Sequence, residues 1–470
     1  MRARLRPGLR RGDVLVGGSP MRVVRLKPAA LAVLDGDVVP EGELARRLLD
    51  AGVADPVLED VAPLDPADLT VVLPVHGRAD ELDRALEALR PLRCVVVDDA
   101  SPVPLAPVAP HAEVLRLDEN VGPAGARNAG LATVRTPYVA FVDCDVTVSA
   151  ETLTRLGRHF ADPGVAMVAP RILGRARSER PRWFERYDEE ASSLGLGATG
   201  CSVRPGAAVA WLPSACLVAR TDRLGSGFDP TMRVGEDVDL VWRLVDAGET
   251  VRYDPSEVAH HDARATLRGW LGRKYVYGTG GAPLATRHGD KVATAVLSPA
   301  MAVGAAALLL HRRWSVPVAL VCVARGVQVL RRTLPDVPDR DLLAVGLAGR
   351  GLWWSVRQES ALLLRHWWPA VAAAALVSRP VRRAVVGAVV VDVVVAQVER
   401  PGLDPVLGLA GRRLDDLAYG AGLWAGALRA RSLRAVLPIS ARGAARRRPS
   451  GPATGRSPSA GSGWSPRRSA

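Results

Sequence analysis

The chain has only five cysteines in 470 residues, and none is spaced as CxxC or CxH. That excludes metal knuckles and dithiol redox chemistry. An odd set of thiols, Cys94, Cys144, Cys201, Cys216 and Cys322, fits a reducing cytosol better than a disulfide framework. No apolar core follows the basic start Met1 to Arg11, so nothing there reads as a secretion signal. Aromatics are scarce, and no basic stripe is interleaved with them, which argues against a single-stranded nucleic-acid binder. The net charge of +13 does not change this. Seven arginines and no acid lie in residues 441–470, among Ser, Pro and Gly, and supply about half the excess. That tail reads as low-complexity and disordered, suited to an anionic lipid surface if to anything.

What is present is an ordered succession of patterns. Residues 8–65 read as a small module of their own. Two apolar runs, Val14 to Val16 and Met21 to Leu26, flank Gly17-Gly18 as in a hairpin, and helical patterns follow through Leu31, Val33, Leu34 and Glu43 to Leu49. This suggests a winged-helix-like unit; a subdomain that only packs on the rest accounts for the same pattern. From Leu69 strands and helices alternate. Leu69 to Val75, Arg93 to Val97, Val114 to Leu117 and Tyr138 to Val142 are apolar runs, with helical patterns at Ala79 to Leu89 and Pro123 to Val134. Repeated βα units predict an α/β fold with a doubly wound, mostly parallel sheet over residues 69–290, ligands lying at the carboxyl ends of its strands.

Residues 291–438 are rich in Ala and Val. Val292 to Leu310 holds nineteen residues without a charge, long enough to span a membrane, although Pro299 interrupts it. Shorter apolar stretches follow at 315–324, 342–349, 367–378 and 384–398, broken by arginines and Asp392. Interfacial or re-entrant helices explain them as well as spans do, and an Ala-rich soluble helical domain is the plainer alternative. The expectation is a cytoplasmic catalytic domain associated with, or anchored in, the cell membrane, ending in a basic tail at 439–470.

Chemistry-bearing residues fall at the predicted strand ends. Asp98-Asp99 closes the second strand, where a carboxylate can accept a hydrogen bond from a nucleobase. Asn120 to Gly130 follows the third; its small residues admit a phosphate or ribose, and Arg127 can meet a phosphate oxygen. The glycine pattern differs from the dinucleotide fingerprint. Asp143-Cys144-Asp145 closes the fourth strand. Two acids one residue apart repel unless a cation sits between them, and hard oxygen ligands suit Mg²⁺ or Mn²⁺ carrying a diphosphate. The plainer alternative is a solvated turn. Glu236-Asp237 opens a later helix with Val238, Val241 and Leu244 on its apolar face. Such acids are often only dipole partners, but a transferase acting with inversion needs one carboxylate to take the acceptor's proton.

In order and spacing, Val95–Ser101, Asn120–Gly130, Asp143-x-Asp145 and Glu236-Asp237 resemble the inverting, GT-A-fold nucleotide-sugar glycosyltransferases of family 2 over residues 69–262. The resemblance implies a UDP-sugar donor and a divalent metal. It assigns Asp98 and Asp99 to the uracil, with Pro74, Arg127 and Asp143 also on the donor. Asp143 and Asp145 would serve the metal and diphosphate, with Asp145 the more direct ligand, and Asp237, beside Glu236, would be the base. A histidine after the last core strand completes such metal sites, and His260 is placed there, with His261 or a structural role left as alternatives.

A narrower resemblance runs through Arg127–Gly130, Tyr187–Leu196, Pro213–Ala215, Arg233–Leu244 and Tyr277-Gly278, to the glycosyltransferases of the mycofactocin system. It implies membrane association and β-1,4 transfer of glucose from UDP-glucose to a peptide-derived redox cofactor. The N-terminal module is similar to peptide-recognition units of modified-peptide pathways, which fits such an acceptor. The Gln-x-x-Arg-Trp of processive synthases is missing; Arg268-Gly269-Trp270 and Arg273-Lys274-Tyr275 stand in that region. Long-chain synthesis is therefore not expected.

Overall fold

The structure, a computed structural model, describes residues 1–34, 36, 38–106 and 109–441. The N-terminal residues build two small sheets. Ala3–Leu5 pairs with Val38–Val39 and Ala54–Pro56, and Arg10–Arg11, Val14–Gly17 and Arg22–Arg25 form a meander. The hairpin signalled by Gly17-Gly18 is therefore present. Helix Glu43–Ala51 closes this unit, burying Ala45, Leu48 and Leu49 beside Leu15 and Val53.

The central sheet has nine strands. Tyr138–Val142, Leu69–Val75, Arg93–Asp98 and Ala112–Arg116 lie side by side and parallel, as the apolar runs predict. Leu69, Val71 and Leu73 pack on the helix Ala79–Ala88 side with Leu82 and Leu86, while Val72 packs on the other face with Ala126. A strand buried on both faces needs this continuous apolar run. Beyond Tyr138–Val142 the sheet reverses: Cys216–Arg220 runs antiparallel to it and to Val165–Arg175, which is parallel to the long edge-ward strand Thr250–Asp262. That antiparallel insertion sets the loop Pro213–Ala215 beside Asp143, whose N–H donates to the Ala215 carbonyl at 2.9 Å.

The C-terminal half departs from the sequence reading. Val292–Leu310 is not one helix. Residues 289–292 form a 3₁₀ turn, Val296–Leu297 is a strand, and only Pro299–Leu310 is helical. Pro299 occupies the first helical turn, where its missing N–H is tolerated, so it starts the helix instead of interrupting one. Among the described residues no single helix is long and apolar enough to cross a membrane; Arg340–His366 and Trp368–Val377 qualify only as a pair, bent by 90°. The other apolar stretches lie in helices Ser315–Thr333, Arg340–Ala361, Trp368–Val377 and Arg379–Glu399. Of the expected tail, Ile439–Ser440 is a strand paired with Val296–Leu297, and residues 442–470 lie outside the described residues.

A final helix, Pro405–Arg429, was not legible as an apolar stretch. It packs lengthwise on helix Leu267–Thr279. Backbones touch there: a Cβ on Gly422 would stand 1.9 Å from the Tyr275 carbonyl oxygen. Small residues allow this close approach of the two helices.

Candidate active site

A cavity of about 1040 Å³ opens at the carboxyl ends of the parallel strands, and Pro74, Asp99, Arg127, Asp143, Asp145 and Asp237 all line it. Its size lies at the upper end for ligand sites, enough for two substrates together.

Asp143 and Asp145 leave strand Tyr138–Val142 through a tight turn, with the Val146 N–H donating to the Asp143 carbonyl at 2.9 Å. The two side chains meet different cations. Asp143 Oδ1 accepts from Arg127 at 2.6 Å. Asp145 accepts from Arg78 and, at 3.2 Å, from Arg264, and His261 Nε2 lies 3.6 Å away. Burial opposes the charge on Asp145, but His261, Arg264 and Arg78 outweigh it and hold its pKa down to about 2.

The histidine placed at this site from sequence was His260; the structure brings His261 instead. Val146 pairs with His261 and Thr147 with His260 along an antiparallel ladder. Alternation along a strand sends the two rings to opposite faces. His261 lines the cavity beside Asp145, whereas burial and the cation of Arg175 push the pKa of His260 down.

The acid pair Asp98-Asp99 also divides. Asp99 takes the Val121 and Gly122 N–H groups at 2.8 and 3.0 Å, fastening the start of helix Gly122–Thr133, and it reaches the cavity wall. Asp98 does not. It is 0% exposed and accepts from the Ser101 N–H at 2.8 Å, the Leu105 N–H at 3.2 Å and Arg116. Burial raises its pKa, these donors lower it, and the donors prevail. Its place is the core of a turn, not the nucleotide side.

Arg127 is 3% exposed, with one arm on Asp143 and the other donating to Glu236 Oε1 at 2.9 Å. Glu236 is thus a partner of Arg127 and is itself buried. Gly235, with φ of 82°, turns the chain into helix Glu236–Asp246 through a conformation that a side chain would strain. Asp237 then faces the cavity, accepting from the Ser214 N–H at 3.4 Å and the Val238 N–H at 2.8 Å. Burial and the neighbouring charge of Glu236 push its pKa up to about 7, against the pull of the Val238 N–H, Arg127 and the Ser214 N–H. A carboxyl poised near neutrality can take and return a proton.

Sequence reasoning missed Arg78 and Arg264, since nothing in a lone arginine marks it as facing an acid far along the chain. It also missed the far wall, where helix Pro405–Arg429 contributes. Lys274, 3% exposed, is set between Asp188 at 3.3 Å and Asp415 at 3.0 Å, and Arg365 bridges Asp415 and Asp416 at 2.9 and 2.8 Å.

Among the described residues no three His, Cys, Asp or Glu side chains stand preassembled as a metal cage. Two carboxylates and a histidine at a cavity rim nonetheless fit Mg²⁺ or Mn²⁺, which commonly take one or two carboxylates and complete their shell with substrate phosphates.

The model for glycosyl transferase family 2 matches residues 70–200, and that for glycosyl transferase family group 2 matches residues 138–378. The chain is 43% identical to a pre-mycofactocin glycosyltransferase of Mycobacterium tuberculosis over 456 residues, covering 91% of this chain and 94% of that one. It is 36% identical to the succinoglycan biosynthesis protein ExoO of Rhizobium meliloti over 112 residues, 22% of this chain and 32% of the other. A solved mannosyltransferase of Pyrobaculum calidifontis, in complex with GDP-Man and Mn²⁺, aligns with a TM-score of 0.40 and 16% identity over 78% of this chain and 90% of that one. The chain belongs to the family 2 glycosyltransferases, among those of the mycofactocin system.

Proposed function

We propose that the protein is an inverting transferase that moves glucose from UDP-glucose onto the peptide-derived cofactor mycofactocin or its precursor, with β-1,4 linkage between successive sugars. Full-length identity of 43% to a pre-mycofactocin glycosyltransferase carries the acceptor. Asp237 supports the mechanism. Its carboxylate takes the proton of the attacking acceptor hydroxyl; the oxygen bonds to the anomeric carbon from the face opposite the diphosphate, and the bond to the phosphate oxygen breaks, releasing UDP. Asp99 stands at the uracil end. Asp143, Asp145 and His261 would hold a divalent cation, which supplies charge neutralisation to the leaving diphosphate. Arg78 and Arg264, already turned toward Asp145, add positive charge on that side.

Incubation with radiolabelled UDP-glucose, Mn²⁺ and the extracted cofactor precursor tests this reading. Label on the small molecule with free UDP is expected. Label only in a lipid extract points to a polyprenyl-linked or cell-wall acceptor, and pyrophosphate in place of UDP points to nucleotidyl transfer; either sinks the proposal.

The C-terminal helices support association with a membrane surface. Leu376, Val377 and Val398 are 82%, 88% and 77% exposed, Trp353 and Trp354 are also exposed, and Arg379 and Arg382 lie two and five residues beyond Val377. Exposed apolar side chains with arginines nearby in the chain suit an anionic interface. Flotation with anionic vesicles is expected, and sedimentation away from them would count against it.

A further inference from the structure

Arg127 stands where a phosphate-binding arginine was expected, yet both of its arms are occupied. Nη2 donates to Asp143 Oδ1 at 2.6 Å and Nη1 to Glu236 Oε1 at 2.9 Å. The guanidinium lies 5.4 Å from the centre of the Phe228 ring, with 3% of the side chain exposed. The next residue grips the same stretch. Asn128 donates to the Phe228 carbonyl at 2.6 Å and accepts from the Phe228 N–H at 2.9 Å. Adjacent residues of helix Gly122–Thr133 therefore hold the acid at the donor side and the chain that leads to the base.

A planar guanidinium can join two carboxylates at a set separation; an ammonium is a point charge and cannot. Without the cation, Asp143 and Glu236 would face each other as like charges across a buried gap. The guanidinium keeps other N–H groups, but swinging either arm toward a phosphate would break its bond to Asp143 or Glu236, and Nε is buried with no partner.

We propose that Arg127 is a positioning residue that makes no donor contact: it fixes Asp143 and the Glu236-Asp237 turn on one frame, so that the seated donor and the base are held at a reactive separation. This rests on the transferase reading above. Small misplacement of reacting groups costs about 100-fold in rate, so the signature is a loss in turnover that donor affinity does not share.

The full-length protein, with UDP-glucose and Mn²⁺, is compared with Arg127→Met, Glu236→Gln and the double variant, reading UDP release and calorimetric donor binding. Arg127→Met is expected to lower kcat by about 100-fold while the donor dissociation constant moves far less. The double variant should recover part of that loss, because the buried Glu236 carboxylate is no longer left unpaired opposite Asp143. Donor affinity falling as far as kcat/KM, or single losses that simply multiply in the double variant, would overturn the proposal. If Arg127→Met does not fold, Arg127→Lys carries the same comparison: the charge remains but the bridge does not, so kcat should still fall with donor affinity kept. A wild-type protein that releases no UDP overturns the transferase reading itself, which keeps the two failures distinct.

Discussion

The two walls of the cavity are built by different means. The wall formed by strands Leu69–Val75, Arg93–Asp98 and Tyr138–Val142 is an apolar sheet whose acids appear only where the strands stop. The opposite wall, from helices Leu267–Thr279 and Pro405–Arg429, is held by a buried lysine, two arginine–aspartate contacts and glycine approaches. The first wall is specified by local pattern, the second by pairings between residues 50 or more positions apart. The strand-end wall carries Asp143 and Asp145 of the proposed donor site, and the proposed base, Asp237, reaches the same cavity from helix Glu236–Asp246.

The largest effect should come from the base. Asp237→Asn is expected to lower kcat by roughly 10²–10⁴-fold with donor binding kept, measured as UDP release against calorimetric affinity. The same residue sets a pH signature. With its pKa near 7, Asp237 is protonated and inactive as a base below that value. Activity should therefore rise through about pH 7 and plateau above, and this rising limb should vanish in the residual activity of Asp237→Asn. A limb starting near pH 4 instead would mean the carboxyl is not desolvated as the structure places it.

Much of the first wall was legible. Leu69 to Val75 reads as a buried strand because nothing polar interrupts it, and Asp143-x-Asp145 is conspicuous because it ends such a run. Choosing between His260 and His261 needed the register with Val146, which depends on pairing and not on neighbours in sequence. Asp98 and Asp99 look equivalent in a line, yet one turns into the Ser101 loop and the other toward Val121. The second wall was nearly opaque. Helix Pro405–Arg429 mixes glycines with Asp415 and Asp416, a pattern that resembles a polar linker until Lys274 and Arg365 are brought against it.

That wall can be broken through its lysine. Lys274→Met takes the cation from the buried carboxylate of Asp188, while Asp415 keeps Arg365, and removal of one partner of a buried ion pair costs about 3–5 kcal/mol. Chemical denaturation should show the loss. Adding Asp188→Asn to Lys274→Met should restore part of it, since the stranded charge is then gone. If Lys274→Met is neutral, the wall is held by its glycine seam alone.

Asp98→Ala probes the sheet side at a smaller scale. It strands the buried Ser101 N–H, an orphaned donor that costs about 1–3 kcal/mol, while the half-buried Leu105 N–H can meet solvent and the exposed Arg116 keeps the Ser101 carbonyl at 3.1 Å. Stability should fall while the affinity for the uracil nucleotide is kept, whereas Asp99→Ala should weaken that affinity. Equal losses of nucleotide binding in both variants would return Asp98 to the donor site.

The smallest effect should come from a pair that looks equally good on paper. Arg331 donates to both oxygens of Asp341 at 2.6 and 2.5 Å, a bidentate geometry tighter than that of Lys274. Both side chains are more than half exposed, at 51% and 63%. In water such a pair exchanges solvation for attraction almost evenly, and its net contribution is about 0–1 kcal/mol. Arg331→Gln should therefore leave the denaturation midpoint nearly unchanged, and added salt should reduce even the residual difference. The contrast with Lys274 isolates burial from geometry. Should Arg331→Gln cost as much as Lys274→Met, the second wall would owe its cohesion to ion pairing wherever it occurs, and the distinction between a desolvated network at the cavity and a solvated one on the outer helices would fail.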